Sequence, residues 1–145
     1  MPHLVMLYSA NLDAMVDMRA LCRSLADTMI EQRDDDGKPV FPPGGTRVLA
    51  YPAAHWAIAD GGGAGLAADG KGDYGFAYLN LRMAKGRAPA VQQRVGQALA
   101  AVAKRWFEPA MGAQHVGVTL QIDEGHEVYD AKMSTLHPLF SKPKE

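Results

Sequence analysis

Residues 74–122, YGFAYLNLRMAKGRAPAVQQRVGQALAAVAKRWFEPAMGAQHVGVTLQI, change their hydrophobic period twice, and those two changes decide the fold. From Tyr74 to Leu81, aromatic or polar residues alternate with small or aliphatic ones, the period-two pattern of a strand. KGRAP (85–89) is a turn, and Pro89 falls in the first turn of a helix, where a proline's missing N–H is tolerated. Val91, Val95, Leu99, Val102 and Trp106 then recur at helical spacing, and Pro109 and Gly112 are expected to close the helix. Val116, Val118, Leu120 and Ile122 return to period two and predict another strand. The segment is a β-α-β unit.

The N-terminal half repeats the plan. HLVMLYS (3–9) is compact and apolar, a buried strand, and Asn11 or Asp13 is placed to cap the helix after it. Met18, Leu21, Cys22, Leu25 and Met29 make that helix's apolar stripe. RDDDGKPVFPPGG (33–45) ends it, Thr46 to Ala50 is a second strand, and His55 to Ile58 is expected to continue the layer after a kink at Pro52. A glycine-rich stretch from Gly61 to Gly72 separates the halves. The expected architecture is one domain, 1–145, with units at about 2–60 and 73–123 and a less regular tail at 124–145. Its class is α+β, an α/β sandwich: a four-stranded mixed sheet with two helices on one face. The strands are apolar on both alternations, so the second face should also be covered. With two helices available, a partner subunit is the natural cover, which predicts an oligomer.

Composition narrows the function. Lys and Arg number 15 against 16 Asp and Glu, for a net charge of −1, so no basic excess recruits nucleic acid or anionic membrane. No apolar run approaches a membrane span, and MPHLVMLYSANLD lacks the pattern of a secretory signal. The single cysteine, Cys22, forms no internal disulfide and sits on an apolar stripe, which suits the core of a cytoplasmic protein. GLAADGKG (65–72) approaches a phosphate-binding loop, but Gly72 replaces the hydroxyl residue and a strand follows instead of a helix; it reads as a flexible surface loop. HEVYD (126–130) approaches a zinc-protease motif, but Asp130 replaces the second histidine and no helical period surrounds it. His55, His115 and His137 have no ligand spacing, so no metal is expected. Ser9, Ser24 and Ser134 lack the context of a nucleophile. Arg47, at the head of a strand, and Arg87, in a tight turn, remain: a guanidinium fork matches a carboxylate, and two of them can seat a dianion.

Smaller features fall in a telling order. MPH opens the chain; Gly45-Thr46-Arg47 precedes the second strand; Trp56 and Ala59-Asp60-Gly61 follow. DYGFAYLNL (73–81), KGR (85–87), Gln92, Gln93 and the final His137, Leu139 and Phe140 complete the series. In that order and spacing the chain resembles the 5-carboxymethyl-2-hydroxymuconate isomerase family. That family belongs to the tautomerase superfamily, with 4-oxalocrotonate tautomerase and macrophage migration inhibitory factor.

The resemblance implies a homotrimer that needs no cofactor and shifts a proton in a small anionic unsaturated 2-hydroxy acid. It assigns Pro2 as the general base once Met1 is removed, with Arg47 and Arg87 binding substrate carboxylate or polarising its carbonyl. Only the first unit begins with proline, so it implies one site per subunit. An α-amine has an ordinary pKa of about 8, and an apolar site with nearby cations disfavours its protonated form. Two departures bear on the substrate. Leu49 stands where the family often has a second arginine, and the loops at 31–43 and 61–72 are enlarged. Other superfamily chemistry, on a phenylpyruvate-type enol or a decarboxylation, is one alternative; a non-catalytic trimeric binding protein is the other.

Overall fold

The computed structural model describes residues 2–141. Strand β1 (His3–Ser9) leads through a single-turn 3-10 helix at residues 10–14 into helix α1 (Met18–Glu31), and strand β2 (Arg47–Ala53) follows. A short helix α2 (Gly63–Asp69) precedes strand β3 (Gly75–Ala84), helix α3 (Pro89–Ala113), strand β4 (Val116–Gly125) and a last turn of helix, α4 (His137–Phe140). The sheet order is β2-β1-β3-β4. β1 and β2 are parallel, as are β3 and β4, while β1 and β3 are antiparallel. This is the mixed four-stranded sheet of the α+β class expected from the sequence.

Alternation decides which side chains meet the helices. In β1, Leu4, Met6 and Tyr8 are buried; in β3, Ala77, Leu79, Leu81 and Met83 are. They pack with Leu21, Leu25 and Met29 of α1 and Val95, Leu99 and Phe107 of α3 in one core. The opposite alternation lies open. Leu7, Leu49, Tyr51 and Phe76 are 50%, 46%, 51% and 39% exposed, most of them over β1 and β2. Over β3 and β4 this face turns polar: the Tyr78 hydroxyl donates to Gln121 at 2.9 Å, and Asn80 Nδ2 to Asp123 at 2.8 Å.

Several expectations are corrected. Neither Asn11 nor Asp13 caps α1: Asn11 donates to the Tyr74 carbonyl, Asp13 accepts from the Tyr8 hydroxyl, and Asp17 accepts from the Ala20 N–H as the cap. β2 runs through Pro52 to Ala53, because an edge strand tolerates a missing donor, and residues 55–58 form no strand. The glycine-rich stretch is not simply loop. Leu66, Ala67 and Ala68 are good helix formers, and α2 is bounded by Gly62 and Gly70, both left-handed, at φ 111° and 77°. α3 does not stop at Pro109 but continues to Ala113, with Pro109 on its exposed side, where a carbonyl left without its donor meets water. The loop at 31–43 is also more than a helix terminator: Val40 is 7% exposed and Phe41 fully buried, so the loop contributes to the core.

Candidate active site

The chain brings four strand ends together at one end of the sheet. β1 and β2 start there, and β3 and β4 finish there, because β1 pairs parallel with β2 and antiparallel with β3. Pro2 stands immediately before β1 and is buried, continuing the inward alternation of Leu4 and Met6. His3 is the register partner of Arg47 on one side and Arg82 on the other. Arg47 is therefore one strand from the residue that follows Pro2. It is half-buried, and its Nη1 donates to the Gly45 carbonyl at 2.8 Å. The Gly44-Gly45 step is tight: a side-chain carbon at Gly44 would lie 3.0 Å from the His137 backbone, so the C-terminal turn rests on the loop that presents Arg47.

Arg87 lies at the same end, in the turn between β3 and α3, but its guanidinium is engaged with backbone. Its Nε and Nη2 donate to the Val40 carbonyl at 3.3 and 2.9 Å, and its Nη1 donates to the Ala84 carbonyl at 3.0 Å. Its guanidinium carbon stands 5.3 Å from the Phe41 ring centroid, a cation–π contact. Burial pushes its pKa below the ordinary arginine value, though arginine stays charged at any physiological pH. Arg87 thus clasps the 31–43 loop to the end of β3, and two of its five N–H groups remain for a ligand. A cavity of about 460 Å3 opens beside it, lined by Asp34, Asp35, Asp36, Lys85 and Val91 among others. Pro2 and Arg47 are not among its lining residues.

The other chemical candidates are placed elsewhere. Cys22 is half-buried against the core, and burial pushes its thiol pKa up, which suppresses the thiolate. His115 Nε2 lies 3.0 Å from Asp69 at the far end of the sheet, edge-on to Tyr74. HEVYD is an exposed, irregular stretch with a bend at Val128 and Tyr129, and no cluster of potential metal ligands exists among the described residues. No helix of the described chain is long and apolar enough to cross a membrane. The seat of Arg87 on Val40 and Phe41 was not foreseen. The one sequence signal for it is a pair of apolar residues inside an otherwise polar, proline-rich loop.

Comparison with known proteins shows the family. The sequence profile of a family described as 5-carboxymethyl-2-hydroxymuconate isomerase matches residues 2–140. A crystal structure of a 5-carboxymethyl-2-hydroxymuconate delta-isomerase is 60% identical, with a TM-score of 0.96, covering 100% of this chain and 96% of that one. A 5-carboxymethyl-2-hydroxymuconate isomerase from Deinococcus radiodurans R1 is 26% identical, with a TM-score of 0.79, covering 97% and 95%. A protein crystallised after inactivation by 2-oxo-3-pentynoate shares the fold alone, at 14% identity and a TM-score of 0.56 over 96% and 99%. Comparison with curated protein sequences gives no significant match.

Proposed function

The chain belongs to the 5-carboxymethyl-2-hydroxymuconate isomerase family and is an isomerase; on that premise we propose that it isomerises 5-carboxymethyl-2-hydroxymuconate itself, as a cytoplasmic homotrimer in the breakdown of aromatic acids. The observation that supports this reading is that Pro2 stands at the sheet end where Arg47, the register partner of His3, and Arg87 also stand.

The mechanism follows from those three residues. Removal of Met1 turns the Pro2 nitrogen from an amide into a secondary amine with a lone pair. Its ring holds that lone pair in a fixed direction. Burial and the cationic side chains at the same sheet end disfavour the protonated amine, so its pKa falls from about 8 towards neutrality. Pro2 removes a proton adjacent to the conjugated carbonyl and returns one elsewhere on the dienol. Arg47 and the free N–H groups of Arg87 hold substrate carboxylates and stabilise the negative charge that develops on the dienolate oxygen.

The test is an ultraviolet assay of the processed protein with 5-carboxymethyl-2-hydroxymuconate and with phenylpyruvate enol, alongside intact-mass measurement of the natural protein. Turnover of the former, by a protein lacking Met1, is the expected outcome. A retained Met1 in active protein would eliminate proline as the base. Turnover of phenylpyruvate enol alone would move the assignment to another tautomerase reaction. A trimer with free Pro2 that turns over neither would indicate a binding protein.

A further inference from the structure

The proposed substrate carries more negative charge than two arginines match. A muconate chain ends in two carboxylates, and the carboxymethyl branch adds a third. Arg47 and Arg87 are two cations, and three of the N–H groups of Arg87 are committed to the Val40 and Ala84 carbonyls. Leu49 stands where a further arginine on β2 would have supplied the missing charge.

The open face of the sheet has a cation in another strand. His3 pairs with Arg47 on β2 and with Arg82 on β3, and Arg82 in turn pairs with Asp123 on β4. Register partners share a face, so Arg47, His3 and Arg82 form one row across three strands on the open face, at the sheet end where Pro2 stands. Each step across the sheet is about 5 Å, which sets the two arginine Cα atoms about 10 Å apart with His3 between them. Two arginine side chains at that Cα spacing are long enough to converge on one carboxylate bound between them.

Arg82 is exposed, and it makes no hydrogen bond or ion pair among the described residues. It has acidic neighbours. Asp123 lies across the strand pair, but its carboxylate accepts from Asn80 Nδ2 at 2.8 Å. Glu127 lies beyond Gly125, where Arg82 Nε and Glu127 Oε1 both crowd the position that a side-chain carbon on Gly125 would take. Arg82 therefore stays uncommitted at the sheet end that holds Pro2, while Arg87 is largely committed to backbone.

We propose that Arg82 binds the third carboxylate of the substrate and sets the preference for a branched tricarboxylate over an unbranched dicarboxylate. The proposal rests on the functional reading above. Its test compares wild type, Arg82→Gln and Arg82→Lys on 5-carboxymethyl-2-hydroxymuconate and on unbranched 2-hydroxymuconate. A charge-assisted contact made equally in ground and transition states appears in KM. Arg82→Gln is expected to raise KM for the branched substrate about tenfold more than for the unbranched one, with kcat for the branched substrate within about threefold. Arg82→Lys, which keeps the charge, is expected to recover most of the loss. Equal effects on both substrates, or none, overturn the proposal.

A binding arm separates this from failure of the functional reading. Calorimetry with unreactive propane-1,2,3-tricarboxylate and with glutarate needs no turnover. Loss of the preference for the tricarboxylate in Arg82→Gln supports Arg82 as the third anion contact even if the wild type isomerises neither dienol. An unaltered preference overturns it.

Discussion

Arg47 and Arg87 have different occupations although both are arginines at one sheet end. Among the contacts of Arg47 is one N–H given to the neighbouring Gly45 carbonyl. Arg87 joins residues 47 positions apart and covers the Phe41 ring. Their alanine variants should therefore fail differently. Loss of an oriented donor typically costs about 3 kcal/mol in the transition state, so each is expected to lower turnover about a hundredfold. Arg87→Ala should also destabilise the fold, by about 1–3 kcal/mol, because it leaves the Val40 carbonyl unsatisfied beside a buried side chain. Steady-state kinetics paired with thermal melts reads both. Lost turnover with an unshifted melt in Arg87→Ala would show that the clasp is unimportant to the fold.

At the scale of elements, the regular pieces were legible because their burial is periodic. β1, β3, α1 and α3 all bury residues at the spacing their type demands, and these are the residues that carry the sequence pattern. What escaped was held by single polar contacts or by distant partners. α2 is organised by Asp60, whose carboxylate accepts from the N–H groups of Gly62 and Ala64, and by Tyr74, whose oxygen accepts from Gly65 N–H at 2.8 Å. No periodicity announces such a helix. The positions of Pro2, Arg47 and Arg87 drew their meaning from the family resemblance, since a proline after methionine and two isolated arginines carry no pattern of their own. The engagement of Arg87 by a loop 47 residues away is a tertiary fact that local sequence does not encode.

The α2 contacts yield a pH dependence. The backbone N–H groups of Ala64 and Gly62 hold the Asp60 carboxyl below its ordinary value of 3.8. A carboxyl held low in the folded state adds stability above its ordinary pKa, and that stability fades as pH falls through the lower folded value. Asp60→Asn should therefore melt below wild type at pH 7, and the gap between the two should close in acid, as the pH falls through the lowered pKa of the folded carboxyl. A gap that persists unchanged into acid would assign the effect to packing instead of charge.

For the whole molecule, the open face of the sheet is an apolar surface left uncovered within one chain. Leu7, Leu49, Tyr51 and Phe76 stand there about half exposed, opposite a face fully served by α1 and α3. Covering each is worth on the order of 1 kcal/mol, enough in sum to favour the proposed trimer. Leu49→Asp places a charge in the middle of that patch. It is expected to shift the protein from a three-chain to a one-chain species in sedimentation while leaving the protomer folded. A variant that sediments as wild type would put the contact between copies on another surface.

Pro52 adds a constraint of a different kind. A sheet with two unguarded margins can recruit copy after copy into an endless ribbon. β2 is one margin here, and its proline withholds a donor from any strand arriving there, whereas β4 at the other margin has none. The molecule has one blunted rim and one receptive rim. Such asymmetry discourages unlimited growth and favours an assembly that stops at a small, finite number of chains.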